Sequence, residues 1–339
     1  MKVFKALLLI SLISLSVSKI LTPEEYEIER SKHSFETLDY EDYLEVAKVR
    51  EEMKDSVMHY KDMAKQATDF ISMYNVQASL YDPQQRSSID EELEQIAQGR
   101  NLETIPYQFD WRDANRKCMF DIPIKHQKYC GSCFAFATTF ALAKRFCLSG
   151  NSRYKQLDLS PQDLLECDTK HYKCKGGIIP YTWEFLEDTG VCTEECKPYY
   201  SGDTKQVGYC KLGCSSYRES YTKYRAIRYS MKHAIDETQI KYLIMKEGPM
   251  TTGMIAYDDL SFYKGGMYKH HKIEGEEEGG HAITLVGWGY DSSYGNYWIV
   301  ANSWGSSWGH DGYFKIPFGE CKIANMDGMG AMASFPELK

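Results

Sequence analysis

At 339 residues, with 43% hydrophobic and 14% aromatic side chains, the chain is long and apolar enough for more than one folding unit around a sizeable core, which excludes a disordered chain. Its net charge of −8 is unevenly spread: residues 19–104 hold 20 acidic against 10 basic side chains, whereas residues 105–339 hold 28 of each. A neutral C-terminal body offers neither nucleic acid nor an anionic membrane an electrostatic reason to bind.

The N-terminus reads MKVFKALLLISLISLSVS. Lys2 and Lys5 lead an apolar run, and Ser16 and Ser18 supply small residues for cleavage, so residues 1–18 are expected to be a signal peptide. The alternative, a membrane anchor, needs roughly 20 apolar residues, more than this run supplies. The expected product is a protein of the secretory pathway with no membrane attachment after signal removal.

In residues 19–104, Val46, Val49, Met53, Val57, Tyr60, Ala64, Ala67 and Ile71 recur by threes and fours, which predicts one long amphipathic helix. Glu51, Glu52, Lys54, Asp55 and Asp62 supply its polar face. The stretch DPQQRSS from Asp82 is a turn-rich break, and DEELEQIAQGRN is a second acidic patch leading to Ile105. An acidic helical segment ahead of a cysteine-rich body reads as a removable pro-segment, or else as a small helical domain that stays attached.

All eleven cysteines lie between Cys118 and Cys321, and in an oxidising compartment most should be bridged. In YCGSCFAF (129–136) the Cys130-x-x-Cys133 spacing suits a redox dithiol, half a zinc site, or a bridged cysteine beside a lone nucleophile. Ser132 stands where a helix N-cap is wanted, and CFAFATTFALAKRF continues as a buried helix. Cys133 then falls on the first turn, where free N–H groups and the helix dipole favour a thiolate. No βαβ pattern precedes Tyr129, which argues against the redox dithiol.

A thiolate nucleophile needs a base, and His281 in GGHAITLVGWG is the candidate. Residues 281–288 read as a buried strand, GYDSSYGN as a turn, and YWIVAN as a returning strand ending at Asn302. The midpoint falls between Asp291 and Ser292, so antiparallel pairing is expected to set His281 opposite Asn302, whose amide would orient the imidazole.

The segments FDWRD, HQKYCGSCFAF, LSPQDLLEC, CKGG, GGHAITLVGWG and NSWGSSWG occur in the order of the papain family of cysteine proteases, which the chain resembles from about Ile105 to its C-terminus. The resemblance implies an α+β, two-lobed papain-like fold, a helical lobe and an antiparallel β lobe with the active-site cleft between them, over residues 105–339. It implies Cys133 as nucleophile, His281 as general base and then acid, Asn302 as orienter, and Gln127 as oxyanion donor beside the Cys133 N–H. Trp304 would shield the His–Asn contact and Trp308 line the leaving-group side; both also read as core aromatics. Gly176 and Gly177 would let an extended peptide approach the backbone. Ala282 and Met326 would line the pocket for the P2 side chain.

Within that family the chain is similar to cathepsin B, which implies bridges Cys118–Cys147, Cys130–Cys174, Cys167–Cys210 and Cys196–Cys214. Cys192 and Cys321 are left free or paired together. A rival reading takes Cys192, Cys196, Cys210 and Cys214 as a zinc knuckle. Three departures stand out. Phe134 replaces the family's Trp or Tyr. Only 13 residues and no histidine separate Cys196 from Cys210, where cathepsin B carries a longer loop that captures a substrate's C-terminus. Met326 stands where that branch has an acidic residue. The expectation is a cysteine endopeptidase with an apolar P2 preference, acting on peptide or protein substrates without a cofactor or metal.

His270 and His271 are expected in a solvated loop. The body's seven histidines gain charge as pH falls towards 5, which suggests acid release of the pro-segment and cleavage near Ile105. The destination is a lysosome, another acidic vacuole or the exterior, and the expected state is a monomer inhibited by its own pro-segment. No N-x-S/T sequon is present. A papain-fold binding protein that no longer cleaves is the alternative.

Overall fold

The computed structural model describes residues 20–53, 60–81, 88–100, 105–216, 220–272 and 279–338. The expected signal peptide, the break at 82–87, Val57 and the expected maturation boundary at residue 104 lie outside the described residues.

The N-terminal segment begins with α1 (Pro23–Arg30), started by a capping box: Thr22 Oγ accepts from the Glu25 N–H, and the Glu25 carboxylate accepts from the Thr22 N–H at 2.9 Å. Strand β1 (Glu36–Thr37) pairs antiparallel with residues 263–265 of the body. Helices α2 (Tyr40–Met53), α3 (Tyr60–Tyr81) and α4 (Ser88–Ala97) follow. Val46, Val49, Met53, Tyr60, Ala64, Ala67 and Ile71 are all buried. They lie on α2 and α3, and residues 54–59 between them lie outside the described residues. Helix α2 packs on the turn at 258–262, whereas α3 packs on residues 326–328 and on helix 179–188.

The body opens with β2 (Phe109–Asp110) and the short helices α5 (Trp111–Ala114) and α6 (Arg116–Phe120), then α7 (Cys133–Leu148), α8 (Pro161–Cys167), α9 (Ile179–Asp188) and α10 (Ser201–Thr204). These make the helical lobe around α7, which is buried on nearly every face. Even its Arg145 is interior, donating to the carbonyls of Pro249 (2.8 Å) and Gly248 (3.2 Å). Disulfides Cys118–Cys147, Cys130–Cys174, Cys167–Cys210 and Cys196–Cys214 lace this lobe. Three of the four thiols that a knuckle would need are thus bonded. Cys133, Cys192 and Cys321 carry buried, unbridged thiols.

The second lobe is an antiparallel sheet in the order β3 (Lys232–Ala234), β9 (Ala331–Ala333), β4 (Met250–Ala256), β6 (Gly279–Asp291), β7 (Gly295–Ala301), β8 (Tyr313–Pro317), with β2 on β6 and β5 (Tyr263–Gly265) held by β1. Helix α11 (Glu237–Glu247), capped by Asp236 on the N–H groups of Thr238 and Gln239, covers one side. The lobes meet where α7 lies on β6, fixed by Thr284 Oγ1 donating to the Ala137 carbonyl at 3.0 Å. Among the described residues no helix is long and apolar enough to cross a membrane.

The β6–β7 hairpin corrects the expected register. Its turn is Ser292–Tyr294, closed by Asp291 opposite Gly295, and a bulge at Val286 leaves Thr284 opposite Ala301. One step further, Asn302 stands level with Ile283, two residues along from His281. The two side chains therefore meet on a diagonal rather than face to face, within the reach of diagonal pairs on one sheet face.

Candidate active site

Cys133 is the first residue of α7, and the loop before it is pinned to the Gly176–Gly177 turn by the Cys130–Cys174 bridge. At Gly131 the chains touch so closely that a Cβ would lie 2.6 Å from the Cys174 carbonyl oxygen, so only glycine fits. Ser132 occupies the N-cap position without capping: its hydroxyl lies 2.9 Å from the Tyr199 hydroxyl and makes no side-chain bond to a helix N–H. The expected cap is absent because the hydroxyl has this other partner.

His281 sits in β6 opposite Met254 of β4, and the next residue, Ala282, donates its N–H to Cys133 Sγ at 3.4 Å. That contact joins the thiol of one lobe to the strand of the other. His281 Nε2 lies 2.7 Å from Asn302 Oδ1, which also accepts the Ser303 N–H at 2.8 Å. Because a backbone N–H can only donate, that amide atom is the oxygen, and Nε2 carries the imidazole proton. Nδ1 is then the basic nitrogen. Trp304 lies against the imidazole, ring centroids 5.2 Å apart, and is itself backed edge-on by Trp308. Trp308 is buried against Tyr263 and Phe314.

Gln127 is buried, with Nε2 donating to the Cys130 carbonyl at 3.1 Å and Oε1 accepting from Ser303 Oγ at 2.6 Å. Ser303, which the sequence reading passed over, therefore holds both amides, Gln127 through its hydroxyl and Asn302 through its N–H. Its position next to Asn302 was the available signal. Gly176 and Gly177 are buried here, and a Cβ at Gly177 would come within 2.7 Å of His171 and Phe134. Bareness at 177 thus serves internal packing, and the Phe134 ring packs tilted against His171, centroids 4.5 Å apart. Ala282 pairs with Gly253 of β4, and the methyl of the fully buried Met326 lies over the same glycine, giving one apolar patch beside His281.

The N-terminal segment closes over this site. Tyr60 and Met63 crowd Gly280, where a Cβ would meet the Met63 sulfur at 2.4 Å, and the Arg50 guanidinium lies 5.6 Å over the Trp304 ring. Arg50 is fixed by Asp258 at 3.0 Å, while Lys205 pairs with Glu52 and Lys232 with Asp90. Cys133 and His281 are consequently only 4% and 5% exposed. Burial pushes the Cys133 thiol up, against the opposing pull of the Ala282, Phe134 and Cys133 N–H groups. Burial likewise pushes His281 down to about 4, with Asn302 opposing and Arg50 adding to the fall. Both shifts oppose charge on the pair while the site is covered, against the pull of the helix start.

A second contact zone involves histidines. His33 is half-buried between Phe35 and Phe262 and stands edge-on to His271, centroids 5.6 Å apart. His270 stacks on Tyr257 at 3.8 Å and lies 3.1 Å from the buried Asp259 carboxylate. The expected solvated loop is thus a packed one as far as residue 272, because Asp259 also accepts from the His271 N–H; residues 273–278 lie outside the described residues.

A helix-start thiol in one lobe accepts a hydrogen bond from the strand of the other lobe that carries an amide-held imidazole. Residues 105–331 match the domain described as "Papain family cysteine protease", and the chain belongs to that family. It is 37% identical over 211 residues to "Cathepsin B-like CP3" of Giardia intestinalis, covering 62% of this chain and 69% of that protein. It is 36% identical over 262 residues to "Cathepsin B-like cysteine proteinase 4" of Caenorhabditis elegans, covering 68% and 77%. The solved structure "proCathepsin B S9 from Trypanosoma congolense" superposes with a TM-score of 0.61 at 29% identity, covering 69% of this chain and 78% of that one. The chain is a cathepsin B-like cysteine-type peptidase with the two-lobed α+β papain fold.

Proposed function

We propose that the chain is made as a proenzyme, that residues 19–104 block its cleft, and that the freed body is an endopeptidase using Cys133 and His281. The observation that carries this is the burial of both residues beneath α2 and α3, with Arg50 and Met63 beside the imidazole strand. Once the cleft opens, His281 Nδ1 takes the Cys133 proton and the thiolate attacks the substrate carbonyl, forming a C–S bond while the oxygen gains charge. Gln127 Nε2 and the Cys133 N–H receive that oxyanion. The imidazolium gives its proton to the departing amine, and water then cleaves the thioester with the same base. Asn302 and Ser303 hold the tautomer that this sequence requires.

The apolar patch of Ala282, Gly253 and Met326 supports Leu, Val or Phe at P2. The 13 residues between Cys196 and Cys210 carry no histidine pair to anchor a C-terminal carboxylate, which supports internal cleavage. Acid activation is supported by two imidazoles kept neutral in the closed form: His281, and His33, whose two ring nitrogens are buried without a hydrogen-bond partner and whose basicity burial lowers. The proposed setting is an acidic compartment of the secretory pathway.

The test incubates purified proform from pH 4 to 7.5, maps new N-termini, and labels the product with a thiol-directed peptide probe. Cleavage near Ile105 at acid pH, with label on Cys133, is expected. Processing confined to neutral pH refutes acid release, and full peptide cleavage by Cys133→Ala refutes the catalytic assignment. The alternative of a non-cleaving binding protein predicts no label and no turnover after segment removal.

A further inference from the structure

The Tyr199 hydroxyl joins two parts of the loop that delivers Gln127 and the thiol. It lies 2.7 Å from the Gln127 carbonyl oxygen and 2.9 Å from Ser132 Oγ. The ring is held edge-on by Phe136 at 4.7 Å, and its own N–H is tied to Glu194 at 2.7 Å, so the hydroxyl has a fixed address.

Counting protons orients the network. A carbonyl oxygen only accepts, so the single Tyr199 proton goes to Gln127. The Ser132 hydroxyl proton must then go to Tyr199, and the Cys130 carbonyl, 3.3 Å from Ser132 Oγ, accepts from Gln127 Nε2 at 3.1 Å and from the Ser132 N–H at 2.7 Å. With its hydroxyl committed, Ser132 does not cap α7. The Ala135 and Phe136 N–H groups bond instead to the Ser132 carbonyl. The Phe134 and Cys133 N–H groups of the first turn take no bond from Ser132 Oγ and are left beside the Cys133 sulfur, whose basicity they pull down.

We propose that Tyr199 is a positioning residue for catalysis: by holding Ser132 off the helix start it reserves the first-turn N–H groups for the thiolate and sets the backbone of the oxyanion donor Gln127. This rests on the catalytic reading above and deepens it. Serine is a favoured N-cap, so a Ser132 released from Tyr199 would rotate to the Phe134 N–H and compete with the sulfur for it. At the same time the Gln127 carbonyl would lose its donor, loosening the loop that carries the oxyanion amide. Sub-ångström placement of such groups controls rate more than affinity.

The experiment uses matured, active-site-titrated enzyme and an internally cleaved peptide. Tyr199→Phe is expected to lower kcat by about tenfold with KM nearly unchanged. The acid limb of its kcat/KM profile should move up, with about two- to fivefold less thiolate at the wild-type midpoint. Adding Ser132→Ala to Tyr199→Phe should return the limb to its wild-type position, since the competing hydroxyl is gone; lost stability alone would not be repaired in this way. The limb of Ser132→Ala alone should stay in place, which covers the case where Tyr199→Phe does not fold. An unchanged limb in Tyr199→Phe, a limb not restored in the double variant, or a shifted limb in Ser132→Ala overturns the proposal. If Gln127→Ala and Cys133→Ala still lose activity in that event, the catalytic reading stands without it. Full cleavage by Cys133→Ala would remove both.

Discussion

The Tyr74 hydroxyl of α3 lies 2.8 and 2.9 Å from the two carboxylate oxygens of Glu187, buried at the end of α9 in the body. It also accepts the Met231 N–H at 3.1 Å, while Glu187 accepts from Ser334 Oγ and the Tyr229 N–H. Removing one hydroxyl therefore leaves a buried carboxylate short of a donor and a buried N–H without an acceptor. A buried polar group left without its partner costs about 1–3 kcal/mol. Tyr74→Phe is expected to mature about tenfold faster than wild type at a fixed, mildly acidic pH, without altering the activity of the matured enzyme. Equal maturation rates, followed by gel densitometry, would remove Tyr74 from the closure.

That contact does not itself respond to acid in the releasing direction. Burial raises the Glu187 carboxyl to about 7, so its contribution to the closed form is complete below the ordinary carboxylate range and is lost as pH rises through 7. The opposite sign belongs to His33. Its pKa is lowered by burial; Asp259 and Glu29 oppose the fall, and His271 and Lys32 add to it. Its neutral form stabilises closure above the ordinary histidine value of about 6.5, and that stability is lost as pH falls further. His281, pushed down to about 4, works in the same direction. His33→Phe keeps the ring between Phe35 and Phe262 but takes up no proton. Its maturation is therefore expected to need a lower pH, by several tenths of a unit. An unmoved midpoint in the pH series would assign the trigger elsewhere.

What was legible in the sequence was local chemistry. The helix after Ser132 and the apolar run after His281 announce themselves by burial pattern, because α7 and β6 are enclosed on nearly all sides. Register was not legible: a bulge at Val286 and a turn centred on Ser293 leave no pattern in apolar periodicity, and together they set Asn302 two residues away from the expected place opposite His281. Nor could periodicity say that the two ends of the 46–71 stripe cover different surfaces, α2 the turn at 258–262 and α3 residues 326–328 and α9. Tyr199 and Ser303 escaped for a related reason. Their roles are set by hydrogen bonds to residues 72 and 176 positions away, which no local pattern encodes.

The Gln127 side chain has both ends engaged, Oε1 with Ser303 and Nε2 with the Cys130 carbonyl. Only the second of these can be exchanged for a developing oxyanion, since Ser303 fixes the amide's orientation. Gln127→Ala is expected to lower kcat by about a hundredfold or more, corresponding to about 3 kcal/mol, with KM changed little. Ser303→Ala, which frees the amide to rotate, should show a smaller fall of the same kind. Steady-state kinetics on titrated enzyme separates these outcomes; a Gln127→Ala variant that loses KM alone would mean the amide binds ground-state substrate instead.

Met326 tests the proposed P2 preference most directly, because it shares one apolar patch with Gly253 and Ala282 and has no polar atom of its own to offer a cationic side chain. Met326→Glu places a carboxylate there. In the matured enzyme this should raise cleavage after P2 Arg relative to P2 Leu by about tenfold or more, since one partly buried ion pair is worth more than the 1.4 kcal/mol that a decade represents. In the proform the same carboxylate would lie under α3, which packs on residues 326–328, and would have to be desolvated without a designed partner. The variant's closed form should therefore be less heat-stable than wild type, and the loss should shrink at acid pH, where the new carboxyl is neutral. An unchanged P2 ranking together with an unchanged proform would place Met326 in the core and outside the substrate pocket.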